Sequence, residues 1–170
     1  LPTDANPGGE WWADVGLGDA FRDPLPLVDG EHRQDGFTYR LTGVGHDGWD
    51  VHHDPSGTFT GMAARTRSTD PETVAAAHAE LSTPPGGHFA RVLVVQRRHV
   101  GGVDTLRGCV LTLSGPDGRS ETDLSSYDEL RAALTDAVGV PVDDLDDAEL
   151  QDLWTRMRTA HEAWDAAGRP

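Results

Sequence analysis

Glycine and proline break this chain into short pieces. There are 20 Gly and 11 Pro among 170 residues, so turns must be frequent. Leu1 to Glu10 holds two of each and reads as loop. The tightest constraint follows at once, in Trp11-Trp12-Ala13-Asp14-Val15-Gly16-Leu17-Gly18-Asp19. Trp and Val favour a pleated surface. Gly16 and Gly18 permit positive φ and a close approach to the backbone. The segment therefore predicts a strand over Trp11 to Val15 that runs into a tight turn, with Asp14 at the junction. An Asp in that place commonly closes the turn. It can also orient a histidine, as the third member of a nucleophile–base–carboxylate triad does. These residues alone leave both readings open.

The rest of the chain alternates in the same way. Phe37 to Thr42 places apolar and polar residues in turn, as a half-buried strand does, and Trp49 to His53 follows the turn signal Gly45-His46-Asp47-Gly48. The two predict a hairpin, and Phe59 to Met62 adds a short strand. The expectation for this half is a small antiparallel sheet or barrel. Asp70 to Leu81 predicts a helix, with Asp70 as N-cap, Pro71 in the first turn and an alanine-rich body. Pro84-Pro85-Gly86-Gly87 ends it. Arg91 to Gln96 and Thr105 to Leu113 read as two strands joined through Gly101-Gly102, and Gly115-Pro116-Asp117-Gly118 as another turn. Ser126 to Val138 and Asp147 to Ala166 read as helices. The last carries Leu150, Leu153, Trp154, Met157, His161 and Trp164 on one stripe.

Charge excludes some classes of partner. With 29 Asp+Glu against 14 Lys+Arg the net charge is −15, which opposes binding to nucleic-acid phosphate and adsorption to an anionic membrane. A single cysteine, Cys109, rules out an intramolecular disulfide and suits a cytoplasmic setting. No apolar run reaches membrane-spanning length.

Asp14-Val15-Gly16-Leu17-Gly18-Asp19, followed by Pro24-Leu25-Pro26-Leu27, resembles the aspartate motif of the arylamine N-acetyltransferases, whose pattern is roughly Val-Asp-Val-Gly-Phe-Gly and then a Pro-Leu element. The resemblance runs on through Gln34, Gly36, Tyr39, Arg40 and Leu41. It returns in Leu81 to Phe89, which is similar to the family's Ser-Thr-His-Pro-x-x-x-Phe segment. It continues in Val95-Gln96-Arg97-Arg98, Leu106-Arg107-Gly108 and Ala160-His161-Glu162-Ala163-Trp164. It implies an α+β fold: an antiparallel β-barrel-like domain over 1–69, a linker helix and loop over 70–84, and an α/β lid over 85–170. On this resemblance the helical bundle that precedes the barrel in the family, and that supplies the nucleophile, would be absent.

The same resemblance implies an acyltransferase that moves acetyl from acetyl-CoA, a co-substrate rather than a resident cofactor, to an arylamine or hydrazine through a Cys-His-Asp triad. Asp14 would be the triad carboxylate. No Arg-Gly-Gly-x-Cys occurs in the chain and no His precedes Asp14. The expectation is thus the C-terminal portion of a longer protein, inactive alone, with the missing segment in cis or on a second chain. Two further readings stay open. One is an amide synthase of the same family, which releases a polyketide as a macrolactam. The other is a non-catalytic remnant or binding module.

Further residues follow from the motif positions. Gly16, Thr83, Gly86 and Gly87 would contact coenzyme A, since glycine amides approach phosphate oxygens closely. Leu17 and Phe89 would face the acceptor. Leu17 stands where the family has an aromatic, which removes a stacking surface worth about 0.5–1.5 kcal/mol; a core position is its alternative. The family's usual His is Pro84 here. Asp19, five residues beyond Asp14, is expected to contribute little. Cys109 reads as a small core residue on a strand. No metal site is expected: His52 and His53 alternate to opposite faces of a strand, and His161-Glu162 lacks zinc-site spacing. The acids from Asp143 to Asp152 lack an EF-hand register and enrich the start of the last helix.

Overall fold

The protein is described here from a computed structural model covering residues 9–83 and 87–169. Strand β1 is Trp11–Trp12 and β2 is Leu25–Pro26, paired antiparallel. Then come β3 (Gly30–Gln34), β4 (Phe37–Gly45), β5 (Gly48–His52) and β6 (Gly61–Arg65), an antiparallel meander in the order β3-β4-β5-β6. Helix α1 is Pro71–Ser82 and the short α2 is His88–Arg91. Strands β7 (Val94–His99), β8 (Gly102–Arg107), β9 (Val110–Gly115) and β10 (Gly118–Asp123) form a second four-stranded sheet in the order β10-β9-β8-β7. Helix α3 (Tyr127–Ala132) widens into a π turn over Ala133–Ala137, and α4 (Asp147–Ala166) follows a single 3₁₀ turn. Neither four-stranded sheet closes on itself among the described residues.

The chain divides into two compact units. The first comprises 1–69, 98–103 and 114–118; the second comprises 70–97, 104–113 and 119–170. In the first, β4 is the spine. Phe37, Tyr39 and Leu41 are buried, and they alternate with half-buried Thr38 and Thr42 and exposed Arg40, so one face carries the core. Ala20, Phe21, Leu25, Phe37 and Tyr39 cluster there, with Trp12 and Leu17 packed against them. Trp12 meets Phe21 edge-on at 4.6 Å, and Phe21 meets Tyr39 edge-on at 5.8 Å. Fully burying each such large side chain stabilises the fold by about 1.5–3 kcal/mol.

In the second unit the core joins Leu106, Cys109, Leu124, Leu130, Ala133, Leu134, Val138, Val142, Leu150 and Met157. Its helices start where their caps dictate. Asp70 accepts from the Thr73 amide at 2.8 Å, and Asp146 from the amides of Ala148 and Glu149. Ser126 and Glu129 form a reciprocal capping box at the start of α3. The expected stripe on α4 is the buried one, with Leu150, Met157 and His161 inward. Helix α1 buries none of its residues.

Several expectations are corrected. The first strand ends at Trp12, because the Asp14 turn begins immediately after it. Gly16 and Gly18 lie outside the positive-φ glycines, so neither uses the freedom expected of it. Strands β2, β3 and β10 were not anticipated. The β3–β4 hairpin has a readable signal: Asp35 and Gly36 sit at φ 54° and 86°, the primed turn that Asp-Gly favours. Thr105 to Leu113 is two strands rather than one, reversing at Gly108-Cys109 with Gly108 at φ 55°. Cys109 is therefore in a turn, not a strand, although it is in the core as expected. The α-helix from Ser126 stops at Ala132, where a π turn takes over.

Candidate active site

Asp14 sits two residues beyond β1 and is half-buried. Its Oδ1 accepts the main-chain N–H of Gly16 at 2.8 Å and of Leu17 at 3.0 Å. The carboxylate thus closes its own turn, as Asp commonly does. Among the described residues no donor reaches Oδ2, so the second oxygen is available to an outside partner. Turn closure and orientation of an imidazole are compatible in one carboxylate, because each uses a different oxygen.

Leu17 is held twice. Its N–H orients Asp14 and its side chain packs against the cluster around Phe21. That is the core position its alternative reading assigned. Gly16 is exposed, and a Cβ built on it would lie 3.7 Å from Asp14 Oδ1, in ordinary contact. Val15 between them is fully exposed.

The second group of motif residues lies in the second unit. Thr83 caps α1 at its C-terminus, donating its N–H to Ala79 O at 3.1 Å. Its carbonyl accepts the Gly87 N–H at 2.9 Å, so that amide is already committed within the loop. Gly87 is buried, and a Cβ there would lie 2.5 Å from Leu81 O and 2.8 Å from Thr83 O. Only glycine fits against those two carbonyls. Gly86 lies outside the described residues. Phe89 belongs to α2, and its backbone alone is described.

Sequence reasoning passed over the residues that hold the Asp14 loop. Asp19 is buried, with its Oδ2 accepting the Thr58 N–H at 2.7 Å and the Thr58 hydroxyl at 2.5 Å. His53, also buried, lies with Nε2 2.9 Å from Asp19 O. The Tyr39 hydroxyl and Arg98 Nε each donate to Ala20 O at 3.1 Å. The expectation that Asp19 contributes little does not fit its burial and its bonds. Strand alternation did hold a signal, since exposed His52 places His53 inward.

Nearby, Asp54 accepts from the Ser56 hydroxyl at 2.6 Å, the Ser56 amide at 3.0 Å and the Thr38 amide at 2.8 Å. Burial works against its charge, but these bonds outweigh it and hold the carboxyl below its ordinary range. Burial pushes the Tyr39 hydroxyl and the Cys109 thiol up; Arg98 and Arg158 respectively oppose the rise. Among the described residues no three His, Cys, Asp or Glu gather as a metal site, and no helix is long and apolar enough to cross a membrane.

Comparison with known proteins supplies the context for this carboxylate. Among solved structures, the arylamine N-acetyltransferase of Mycobacterium abscessus is 25% identical over 87% of this chain and 55% of its own, with a TM-score of 0.66. That of M. tuberculosis is 23% identical over 91% of this chain and 58% of its own, at 0.69. The Mycobacterium marinum enzyme in complex with CoA is 23% identical over 91% of this chain and 57% of its own, at 0.70. This chain therefore spans little more than half the length of those proteins. No curated protein matches it. A profile of the N-acetyltransferase family matches residues 5–147, most of the chain. The chain belongs to the arylamine N-acetyltransferase family.

Proposed function

We propose that this chain supplies the triad carboxylate, Asp14, to an acetyltransferase that uses acetyl-CoA and an arylamine or hydrazine acceptor. The nucleophilic Cys and the His are provided by polypeptide outside residues 1–170, in cis or on a second chain. The observation that carries this reading is the Asp14 turn: Oδ1 is fixed by two amides, while among the described residues no donor takes Oδ2, which would accept an imidazole N–H. Family membership and the CoA complex of the M. marinum relative support acetyl-CoA as donor. In this reading residues 1–69 correspond to the family's barrel-like domain, 70–84 to its linker, and 85–170 to its lid.

Asp14 then holds the histidine in one tautomer and stabilises it as imidazolium beside a thiolate. The thiolate sulfur attacks the acetyl carbonyl, and CoA leaves as its thiol, taking the imidazolium proton so that the imidazole is neutral for the second step. The acceptor nitrogen next attacks the acetyl-enzyme, expels the cysteine sulfur and yields its proton to the imidazole. Thr83 and the loop through Gly86 and Gly87 would meet coenzyme A, by the Thr83 hydroxyl rather than the committed Gly87 amide; Gly16 would lie near it. Phe89 and Leu17 would border the acceptor. With Leu17 in place of the family's aromatic and packed on the cluster around Phe21, the Leu17 side of that border lacks an aromatic face. This is compatible with the second reading, an amide synthase of the same family that releases a polyketide chain as a macrolactam. A single buried thiol suits a reducing cytoplasm.

The test is intact-mass detection of acetyl-enzyme after acetyl-CoA is added. The 170-residue chain alone should gain no acetyl group. The same chain combined with a Cys- and His-bearing N-terminal segment should gain one. No acetylation in the combined protein would leave the non-catalytic reading.

A further inference from the structure

Between β1 and β2 the chain passes from Asp14 to Phe21 without regular secondary structure, yet its far end is tightly held. Five donors converge on two consecutive residues. Thr58 gives its N–H and its hydroxyl to Asp19 Oδ2 at 2.7 and 2.5 Å. His53 Nε2 lies 2.9 Å from Asp19 O, within donating distance, and its Nδ1 lies 3.1 Å from Asp54 O. Tyr39 and Arg98 each give one bond to Ala20 O at 3.1 Å.

Three of the donor side chains are themselves buried. Tyr39 is 1% exposed and His53 7%, and the Arg98 side chain is 7% exposed. Arg98 also lies 4.4 Å over the Phe37 ring and bonds His99 O and Gly102 O. His53 stands between Tyr39 and Phe59, at 5.2 and 4.4 Å between ring centroids. A Cβ at Gly57 would fall 1.9 Å from its Nδ1, so the ring is seated against bare backbone.

From this clamp an unbroken run of hydrogen bonds leads back to the site. The Ala20 N–H donates to Leu17 O at 3.2 Å. Leu17 N–H donates to Asp14 Oδ1 at 3.0 Å. We propose that Asp19 is a positioning residue: its bonds to Thr58, with those of His53, Tyr39 and Arg98 beside it, orient the Asp14 carboxylate through Leu17. The catalytic meaning rests on the triad reading of Asp14; the mechanical coupling does not. A misplacement of about 1 Å in a catalytic group costs on the order of 10²-fold in rate, which gives such a clamp a catalytic value out of proportion to its bonds.

The test separates the two levels. Backbone ¹⁵N order parameters are measured on the 170-residue chain at Gly16 and Leu17, with Leu41 and Leu130 as core references. In Asp19→Ala the values at Gly16 and Leu17 should fall from about 0.85 to below about 0.6 while the references hold. Thr58→Val, which keeps the amide and removes the hydroxyl, should give a smaller fall at the same two residues. Asp14→Ala should loosen Gly16 and Leu17 but leave Thr58 rigid. Unchanged Gly16 and Leu17 in Asp19→Ala overturns the proposal. Should Asp19→Ala also disorder Leu41, then Asp19→Asn and Thr58→Val decide it, and unchanged order in both overturns it. For the catalytic level, acetyl-enzyme formation is followed in the combined protein. Asp19→Asn should lower its rate about 10-fold or more with KM for acetyl-CoA unchanged. Loosened amides with an undiminished rate overturn the positioning role. If the unsubstituted combined protein forms no acetyl-enzyme, the triad reading fails and the order parameters still judge the clamp.

Discussion

The Leu17 main-chain N–H donates to Asp14 Oδ1 at 3.0 Å, while the Leu17 side chain packs on the cluster that contains Phe21. One residue thereby ties the candidate catalytic carboxylate to the hydrophobic core. The expected consequence is a separation between Asp14 variants. Asn keeps an acceptor for the Gly16 and Leu17 amides, so Asp14→Asn should leave the melting curve of the chain unchanged. In the combined protein it should lower acetyl-enzyme formation by about 10⁴-fold, the scale seen when a triad carboxylate becomes an amide. Stopped-flow detection of CoA release checks this, and a near-normal rate would reduce Asp14 to a turn residue.

Cys109 should be inert in the folded chain. It is 1% exposed, lies in the β8–β9 turn, and its thiol is pushed up by burial against the opposing pull of Arg158. Reaction with a colorimetric disulfide reagent at pH 8 should be negligible until denaturant is added, then stoichiometric. Cys109→Ala should leave acetyl transfer in the combined protein unaltered. Rapid labelling of the native chain would contradict the burial.

Asp54 makes the first unit acid-sensitive. Its folded pKa lies below the ordinary 3.8, so its bonds contribute stability fully present above that value. The contribution is lost as pH falls through the lower, folded pKa. Urea midpoints of the unsubstituted chain and of Asp54→Asn should therefore differ at pH 6 and converge below about pH 3. Parallel curves across that range would show that Asp54 titrates alike folded and unfolded.

Leu130 is fully buried where α3 meets the second core. Leu130→Ala should destabilise by about 2–5 kcal/mol, read as a lowered urea midpoint. Leu113, 44% exposed on β9, should cost far less when replaced by Ala, on the order of 0.5 kcal/mol. Equal effects from the two would contradict the core assignment.

Much of this architecture was legible because it is local. Asp70, Pro71 and the alanines specify α1 through a cap and a propensity, and both act within one turn. The α4 boundaries follow from Asp146 and Asp147 and from the spacing of Leu150, Met157 and His161. The hairpin at Gly45-His46-Asp47-Gly48 is a turn signal between two alternating strands. The turn at Asp35-Gly36 carried an equally local signal that pointed to β3. The split of Thr105 to Leu113 was harder, because Gly108-Cys109 carries no polar turn residue and Cys109 is buried.

By itself the sequence determined where α1 and α4 begin, that a turn lies at Asp14, and which family pattern surrounds it. Those features depend on residues a few positions apart, within reach of one side chain's bonds. Tertiary structure decided what holds that turn still. Asp19 meets Thr58, and Ala20 meets Tyr39 and Arg98, across 39, 19 and 78 positions. Such pairings have no sequence period, and they exist only once β4, the loop after β5 and the Arg98 end of β7 have packed. The Asp14 carboxylate is thus a local motif whose orientation is set by non-local bonds, and burial makes those bonds costly to leave unmade.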